Sequence, residues 1–400
     1  MKKTIAIIGS GPAALLLAAM LNEKLFDITI YERSSAPARK LLIAGDGGLN
    51  LTHSEELEQF ISRYTPASFL EKSIRAFTNT DLRNWFKKIG IDTYVGTSKR
   101  IFPVKGIKPI DALNAILAEL KNKNVQLKTN HTWTGWNNKN ELLIDHNTKT
   151  LTIKADKVVL ALGGASWNKN GLGGDWAKAF KEKEIEVIPF QPSNCAYGIK
   201  WKEEFLAEAE GKWLKNISLT CNGNTIKGEL VITKFGIEGG ASYALSSGIR
   251  KQLNEKKMAE IFIDLKPAYT LEKIKDKLSK KGNRSYTKLL EDQLSLSQTH
   301  ISLLKTILTK EEFTSTEILA YKIKKLPLMI NCQGPIEDAI STVGGIALNE
   351  VDDYYQLKKI KNQYVIGEML NWDAPTGGYL LQACFSMGAY LANRLNTNPD

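Results

Sequence analysis

Cysteine and histidine are scarce in this 400-residue chain, and neither is grouped. Cys195, Cys221, Cys332 and Cys384 lie far apart, with no C-x-x-C pair, and His53, His131, His146 and His300 do not sit beside them at metal-ligand spacing. A zinc site and a dithiol redox centre are therefore excluded, no metal is expected, and the cysteines read as buried reduced thiols. Long apolar runs are also lacking. No stretch holds 18 consecutive apolar residues, so no membrane span is expected. Met1-Lys2-Lys3 and the apolar run to Leu21 imitate a secretory leader, but Gly9-Ser10-Gly11-Pro12 cuts the run, and a cytoplasmic location is expected. What is present, 43% hydrophobic and 24% charged residues, suits a soluble globular chain of two or three domains.

The formal charge is +11. From Arg250 to Lys288 there are 12 Lys/Arg against 5 Asp/Glu, so most of the excess sits in one stretch. Its cations are mainly lysines on helical patterning, and few aromatics accompany them (Phe262, Tyr269, Tyr286). The stretch reads as a solvated helical face in preference to a nucleic-acid footprint.

The strongest local signal opens the chain. Lys3 to Ile8 is a short β-branched apolar run, the pattern of a strand buried on both faces. Gly9-Ser10-Gly11-Pro12-Ala13-Ala14 follows and fits G-x-G-x-x-G/A. Gly9 permits a tight turn, Gly11 lets a pyrophosphate approach the backbone, and Ala14 lets the following helix pack closely on the strand. That helix would offer its free N–H groups to phosphate. Phe26 to Tyr31 reads as the second strand and ends on Glu32-Arg33; a carboxylate there is placed for the ribose hydroxyls of a dinucleotide.

Two further segments favour FAD over NAD. Gln363 to Glu368 reads as a strand ending in Gly367-Glu368, followed by Thr376-Gly377-Gly378-Tyr379 and a final amphipathic helix. A carboxylate at a strand end suits ribityl hydroxyls, and a glycine-led helix N-terminus suits the flavin edge that gains negative charge on reduction. The second segment runs from Ala38 to His53: Arg39 and Lys40 lead into a glycine-rich loop carrying Asn50 and Thr52. Its cations suit phosphate and its neutral side chains suit the flavin ring.

In this segment the sequence resembles the YhiN-like (BaiN-like) FAD-dependent oxidoreductases, also labelled the aminoacetone oxidase family, with signature G-R-K-x-x-x-S-G-x-G-R-C-N-x-T-N. Thr342-Val343-Gly344-Gly345-Ile346, Gly367-Glu368, Thr376 to Tyr379 and Arg100-Ile101-Phe102-Pro103 are similar to further segments of that family, so the likeness spans nearly the whole chain. The Arg-Cys of the signature is Gly48-Leu49 here and its last Asn is His53, so no role passes to those positions.

The resemblance and the patterning together give an α/β chain: a Rossmann-like FAD-binding domain of the two-dinucleotide-binding type, with an inserted β-barrel-like domain and a helical cap. The expected boundaries are 1–188 for the first part of the FAD domain, 189–266 for the β-rich insert, 267–334 for the cap and 335–400 for the returning part. Pro327 to Pro335 reads as a linker. Lys157 to Leu162 reads as a buried strand ending on Gly163-Gly164, a second close approach to cofactor. The glycines from Gly163 to Gly174 lack G-x-G-x-x-G spacing, so nicotinamide docking there is not favoured.

The function expected is FAD-dependent hydride transfer at flavin N5 to or from a small or medium hydrophobic metabolite held under the insert, with NAD(P)H as a candidate donor. A tRNA-binding or tRNA-modifying flavoprotein and a non-catalytic FAD-binding protein are the alternatives. Nucleic acid is the less favoured partner, no membrane partner is expected, and no oligomeric state follows from the sequence. His53 is the one histidine in a cofactor-adjacent motif and a weak candidate for proton donor.

Overall fold

The computed structural model describes residues 1–44, 48–166, 174–280 and 282–399. Gly45 to Gly47 of the glycine-rich loop and residues 167–173 of the Gly163–Gly174 segment lie outside the described residues. Among the described residues no helix is long and apolar enough to cross a membrane. The chain forms two compact units, one built from Met1–Gln191 with Ile340–Asp400 and the other from Pro192–Ala339.

The first unit is organised by five parallel strands: β1 (Lys3–Ile8), β2 (Phe26–Tyr31), β3 (Gln126–Lys128), β4 (Lys157–Leu160) and β5 (Gln363–Val365). Their order across the sheet is β3-β2-β1-β4-β5, the doubly wound order. Such a sheet has its switch point where chain direction reverses, here between β1 and β4, and ligands bind beyond the carboxyl ends of those two strands. The turn after β1 and the segment after β4 therefore face one crevice.

Helix α1 (Pro12–Met20) leaves the first turn with Pro12 at its start, where a missing N–H costs nothing. Ala13 to Ala19 are all buried, as a helix sandwiched between sheet and neighbour requires. The neighbour is α2 (Tyr379–Thr397), the last helix. Gly388 makes this packing possible: a Cβ there would stand 2.4 Å from the Ala13 carbonyl oxygen and 3.0 Å from the Leu17 nitrogen. Asn396 then joins the far ends of the pair, accepting from the Asn22 N–H at 2.9 Å and donating to the Met20 carbonyl at 3.0 Å. Between β3 and β4 the chain makes an antiparallel meander, Thr132–Trp136, Leu142–His146 and Lys149–Ile153.

The second unit holds a seven-stranded antiparallel sheet whose end strands are Leu326–Ile330 and Cys332–Gln333. These ends are consecutive pieces of chain separated only by Asn331, so the sheet curls round on itself as a barrel does. The sequence predicts a linker over Pro327 to Pro335; the structure has these closing strands there instead. Proline is tolerated because Leu326–Ile330 pairs by ladder on one side only, with Ala259–Asp264. The helices Leu271–Ser279, Tyr286–Leu294, Gln298–Ile307 and Thr316–Lys324 share a hydrophobic core with the strands, through Ile274, Leu290, Leu304 and Ile323 against Leu219, Ile261 and Leu328. Cys195 and Cys221 are buried in this unit, whereas Cys332 is exposed.

Candidate functional site

A cleft of about 500 Å³ opens at the switch point of the parallel sheet. This is within the usual range for a small-molecule or cofactor site, roughly 300–1,000 Å³. Its floor is the β1 turn. Gly9 has φ +94°, and a Cβ there would lie 2.4 Å from the Ala161 carbonyl oxygen, so only glycine lets β1 and β4 deliver their ends side by side. A Cβ built on Gly11 meets nothing within 4 Å; the space above the turn is open to a ligand. Among the described residues no side chain caps α1, so its first N–H groups face that space unsatisfied by the helix.

Glu32 closes one end of the cleft, and Ser10 explains its orientation. The Ser10 hydroxyl and N–H both donate to Glu32 Oε2, at 2.5 and 3.1 Å, and the Ser34 N–H donates to Oε1 at 2.8 Å. The carboxylate is thus fixed by the turn it serves, with lone pairs left for hydroxyl donors. Beside it Arg33 pairs with Asp175 at 3.0 Å, and Arg39 lines the wall. Pro12 and Ala13 line the cleft as well, while Ala14 lies buried behind it.

Glu368 stands at the other end, beyond β5, with Gly367 and Gly163. It accepts from the Thr342 N–H at 3.2 Å. Gly164 touches this group from behind: a Cβ on it would meet Thr342 Oγ1 at 2.4 Å and Glu368 Cδ at 2.9 Å. Lys40 reaches across and donates to the Gly164 carbonyl at 3.2 Å. Burial pushes the Glu368 carboxyl up, and Lys40 with the Thr342 and Gly164 N–H groups pulls it partly back. Burial likewise pushes Lys40 down, and Glu368 pulls it back. Each group thus favours the charged form of the other, against a burial that opposes both. Cys384 also lines the cleft, but burial, seconded by Glu368, drives its thiol far up and keeps it protonated.

The remaining sequence-selected residues do not line this cleft. Asn50, Thr52, Thr376, Gly377, Gly378 and Tyr379 gather instead at the N-terminus of α2, whose next residues, Leu380 and Leu381, do line it. Gly378 has φ +93° and lies against the backbone of Thr52, where a Cβ would stand 2.5 to 2.7 Å from three main-chain atoms. Asn50 donates to the carbonyls of Thr52 and Ile101, at 2.8 and 3.1 Å. Its own Oδ1 and Thr52 Oγ1 are buried with no hydrogen-bond partner among the described residues. Two orphaned polar atoms beside a glycine-led helix N-terminus are what a polar ring edge would satisfy.

Glu55 holds this junction together and was not legible in the sequence. It is 7% exposed, accepts from Arg63 Nε and Nη2 at 3.1 and 2.9 Å, and receives the Tyr379 hydroxyl at 2.5 Å. Burial raises the Glu55 pKa, yet the hydrogen bonds from Arg63 and Tyr379 together outweigh it and hold the carboxyl below its ordinary value. His53 stacks on Tyr379 at 5.3 Å, accepts the Glu55 N–H on Nδ1 at 3.2 Å, and has the Ser98 backbone as a second hydrogen-bond partner. Burial lowers the His53 pKa.

A folded-state pKa below the unfolded value makes Glu55 a source of stability that is present above about pH 4.3 and lost as pH falls through the folded value. Glu55→Gln is expected to cost about 1–3 kcal/mol at pH 7 by stranding Arg63 and weakening the Tyr379 bond. The deficit should shrink toward zero below about pH 4. Urea denaturation of both proteins from pH 7 to pH 3.5 checks this.

The residues fit an extended FAD: Glu32 for ribose, the α1 N-terminus and Gly11 for pyrophosphate, Glu368 and Lys40 further along, and the orphaned Asn50 and Thr52 atoms with the α2 N-terminus at the far side. Comparison with known proteins agrees. Residues 3–394 match the HI0933-like protein Rossmann domain family. A 3-dehydro-bile acid delta(4,6)-reductase of Clostridium scindens is 23% identical, covering 98% of this chain and 98% of that protein. A ribosomal RNA dihydrouridine synthase of Escherichia coli is 22% identical over 95% of this chain and 94% of its own length. A 3-ketosteroid delta1-dehydrogenase structure from Sterolibacterium denitrificans shares the fold, with TM-score 0.50, 12% identity and coverage of 99% of this chain and 100% of that one. The chain belongs to the HI0933-like Rossmann-domain family and is an FAD-dependent oxidoreductase of the YhiN-like type.

Proposed function

We propose that this protein reduces a carbon–carbon double bond conjugated with a carbonyl in a small or medium hydrophobic substrate, using NAD(P)H as electron donor. The observation that carries the reading is the cleft at the switch point, with a fixed carboxylate at each end and an uncapped helix N-terminus between them. Bound FAD would supply a hydride carrier at N5. The chain's own residues do the rest: Glu32, held by Ser10 and Ser34, receives ribose hydroxyls; the α1 N–H groups bind pyrophosphate; and Glu368, balanced by Lys40, holds sugar-chain hydroxyls. At the α2 N-terminus the helix dipole stabilises negative charge gathering on a ring edge. Overall, NAD(P)H and a proton are consumed, the double bond gains two hydrogens, and NAD(P)⁺ leaves.

The bile-acid relative's name places its reduction on a delta(4,6) system, and the dihydrouridine synthase saturates a uracil ring; both are double bonds conjugated with a carbonyl. The concentration of positive charge between Arg250 and Lys288 favours a second reading, in which the substrate is a uracil in RNA. The test is an anaerobic titration of the FAD-loaded protein with NADH and NADPH, followed by addition of a steroid dienone or of ribosomal RNA. Bleaching by a nicotinamide and recovery of the oxidised spectrum with the dienone is the expected result. Recovery with RNA alone selects the second reading, and absence of bleaching by either nicotinamide overturns the donor assignment.

A further inference from the structure

The second unit carries a positively charged, aromatic-bearing concavity that the flavin chemistry does not use. Three ammonium groups converge on one ring: Lys273, Lys266 and Lys277 place Nζ at 4.3, 5.3 and 5.5 Å from the Tyr269 centroid. Lys273 and Lys277 are one turn apart on Leu271–Ser279, so helix geometry aims both at the same place. Among the described residues, none of the three has a carboxylate at ion-pair distance. Their neighbours behave differently: Lys275 pairs with Glu317, Lys280 with Asp276 at 2.7 Å, and Lys288 with Asp292 at 3.1 Å. These three lysines are thus neutralised at the surface, as a solvated helical face requires. Three cations gathered on one ring without an anion repel one another, and a bound polyanion would relieve that repulsion.

Lys266 connects this cluster to a cavity of about 210 Å³. Its rim includes Trp213, 46% exposed, with Lys215 and Asn216. A bulge in strand Trp213–Cys221, between Leu214 and Ile217, takes Lys215 and Asn216 out of the regular ladder, while Trp213 stays paired with Val231. On the opposite rim the Ser297 hydroxyl bonds His300 Nδ1 at 2.6 Å, and His300 Nε2 lies 3.3 Å from the Lys215 carbonyl, which fixes the two rims together. Lys215 also has no carboxylate at ion-pair distance among the described residues. An exposed indole flanked by unpaired lysines is the equipment for one base stacked on the ring, with phosphates on either side.

We propose that Trp213, Lys215, Lys266, Lys273 and Lys277 form a docking site for single-stranded RNA. The choice of RNA as ligand rests on the second reading of the function; the place of the site rests on the geometry of this unit alone. The probe is a fluorescein-labelled ten-residue oligouridylate, titrated with the FAD-loaded protein and read by anisotropy at 50 to 200 mM salt. Lys273→Glu with Lys277→Glu is expected to weaken binding at least tenfold and to make the slope of log K against log salt shallower by about 1.4, the value for two lost phosphate contacts. Lys273→Gln with Lys277→Gln, which keeps the surface neutral, should give the same slope change. Trp213→Ala should weaken binding roughly tenfold with the slope unchanged.

Lys280→Glu with Lys288→Glu changes net charge equally, in the same stretch, and should matter little. Equal loss in the two charge-reversal proteins, or no binding at 50 mM salt, overturns the proposal. Displacement of the oligomer by millimolar inorganic phosphate, with no effect of Trp213→Ala, also overturns it in favour of a simple anion site. Nicotinamide bleaching is measured in parallel on every variant and should be unchanged, so a failure of docking is distinguishable from a failure of the reductase. Docking without formation of dihydrouridine would remove the second reading and leave the site in place.

Discussion

Gly9→Ala protein is expected to purify without yellow colour and to remain colourless after incubation with excess FAD. The added methyl would lie 2.4 Å from the Ala161 carbonyl oxygen, and the backbone at φ +94° already disfavours any side chain. Relief requires β1 and β4 to separate at their carboxyl ends, where the crevice is made. The same shift moves Ser10, and with it the hydroxyl that holds Glu32. Strain and displaced ladder bonds together are expected to cost about 2–4 kcal/mol of stability, with cofactor affinity lowered at least a hundredfold. Absorbance at the flavin bands per mole of protein, with thermal melts of apo protein, checks both halves. A yellow Gly9→Ala protein with wild-type affinity would remove the turn from the binding argument.

The second large effect is expected at Gly378→Ala. Here three main-chain atoms of Thr52 stand within 2.7 Å of the new methyl, so no side-chain rotation can make room. The α2 N-terminus must withdraw from the Asn50–Thr52 segment, which breaks the register that lets Tyr379 reach Glu55. A loss of at least ~3 kcal/mol is expected, a fall in Tm of roughly 6–12 °C for a unit of this size. Cofactor retained in this variant should show altered flavin band shape, because the damage lies beside the orphaned Asn50 and Thr52 atoms and away from the Glu32 end. Gly388→Ala tests a different contact, α1 against α2, and is expected to destabilise without changing the flavin spectrum of protein that still folds.

The local pieces of this site were legible because their determinants are close in sequence. Strand, turn, helix and second strand occupy residues 3 to 31, and Glu32 follows at once; Gly367-Glu368 is likewise a strand end and its acid. Readings failed where a partner comes from far along the chain. Tyr379 meets Glu55 from 324 residues away, and Arg33 meets Asp175 from 142. Ser10 was visible only as the unspecified residue between two glycines, although a hydroxyl there is the part that orients Glu32. Leu326–Ile330 was misread for another reason: Pro327 argues against a strand, and only the closing position of that strand in the sheet makes it harmless.

Because β5 and α2 come from the last quarter of the chain, a ribosome-bound nascent chain stopped before residue 340 holds β1 to β4 but lacks one sheet edge and the helix that covers α1. The intervening unit, Pro192–Ala339, has its own core and is positioned to condense earlier, during synthesis. Pigment uptake should therefore be among the final events in maturation, triggered when Asn396 clasps Met20 and Asn22 and locks the tail onto the opening helix.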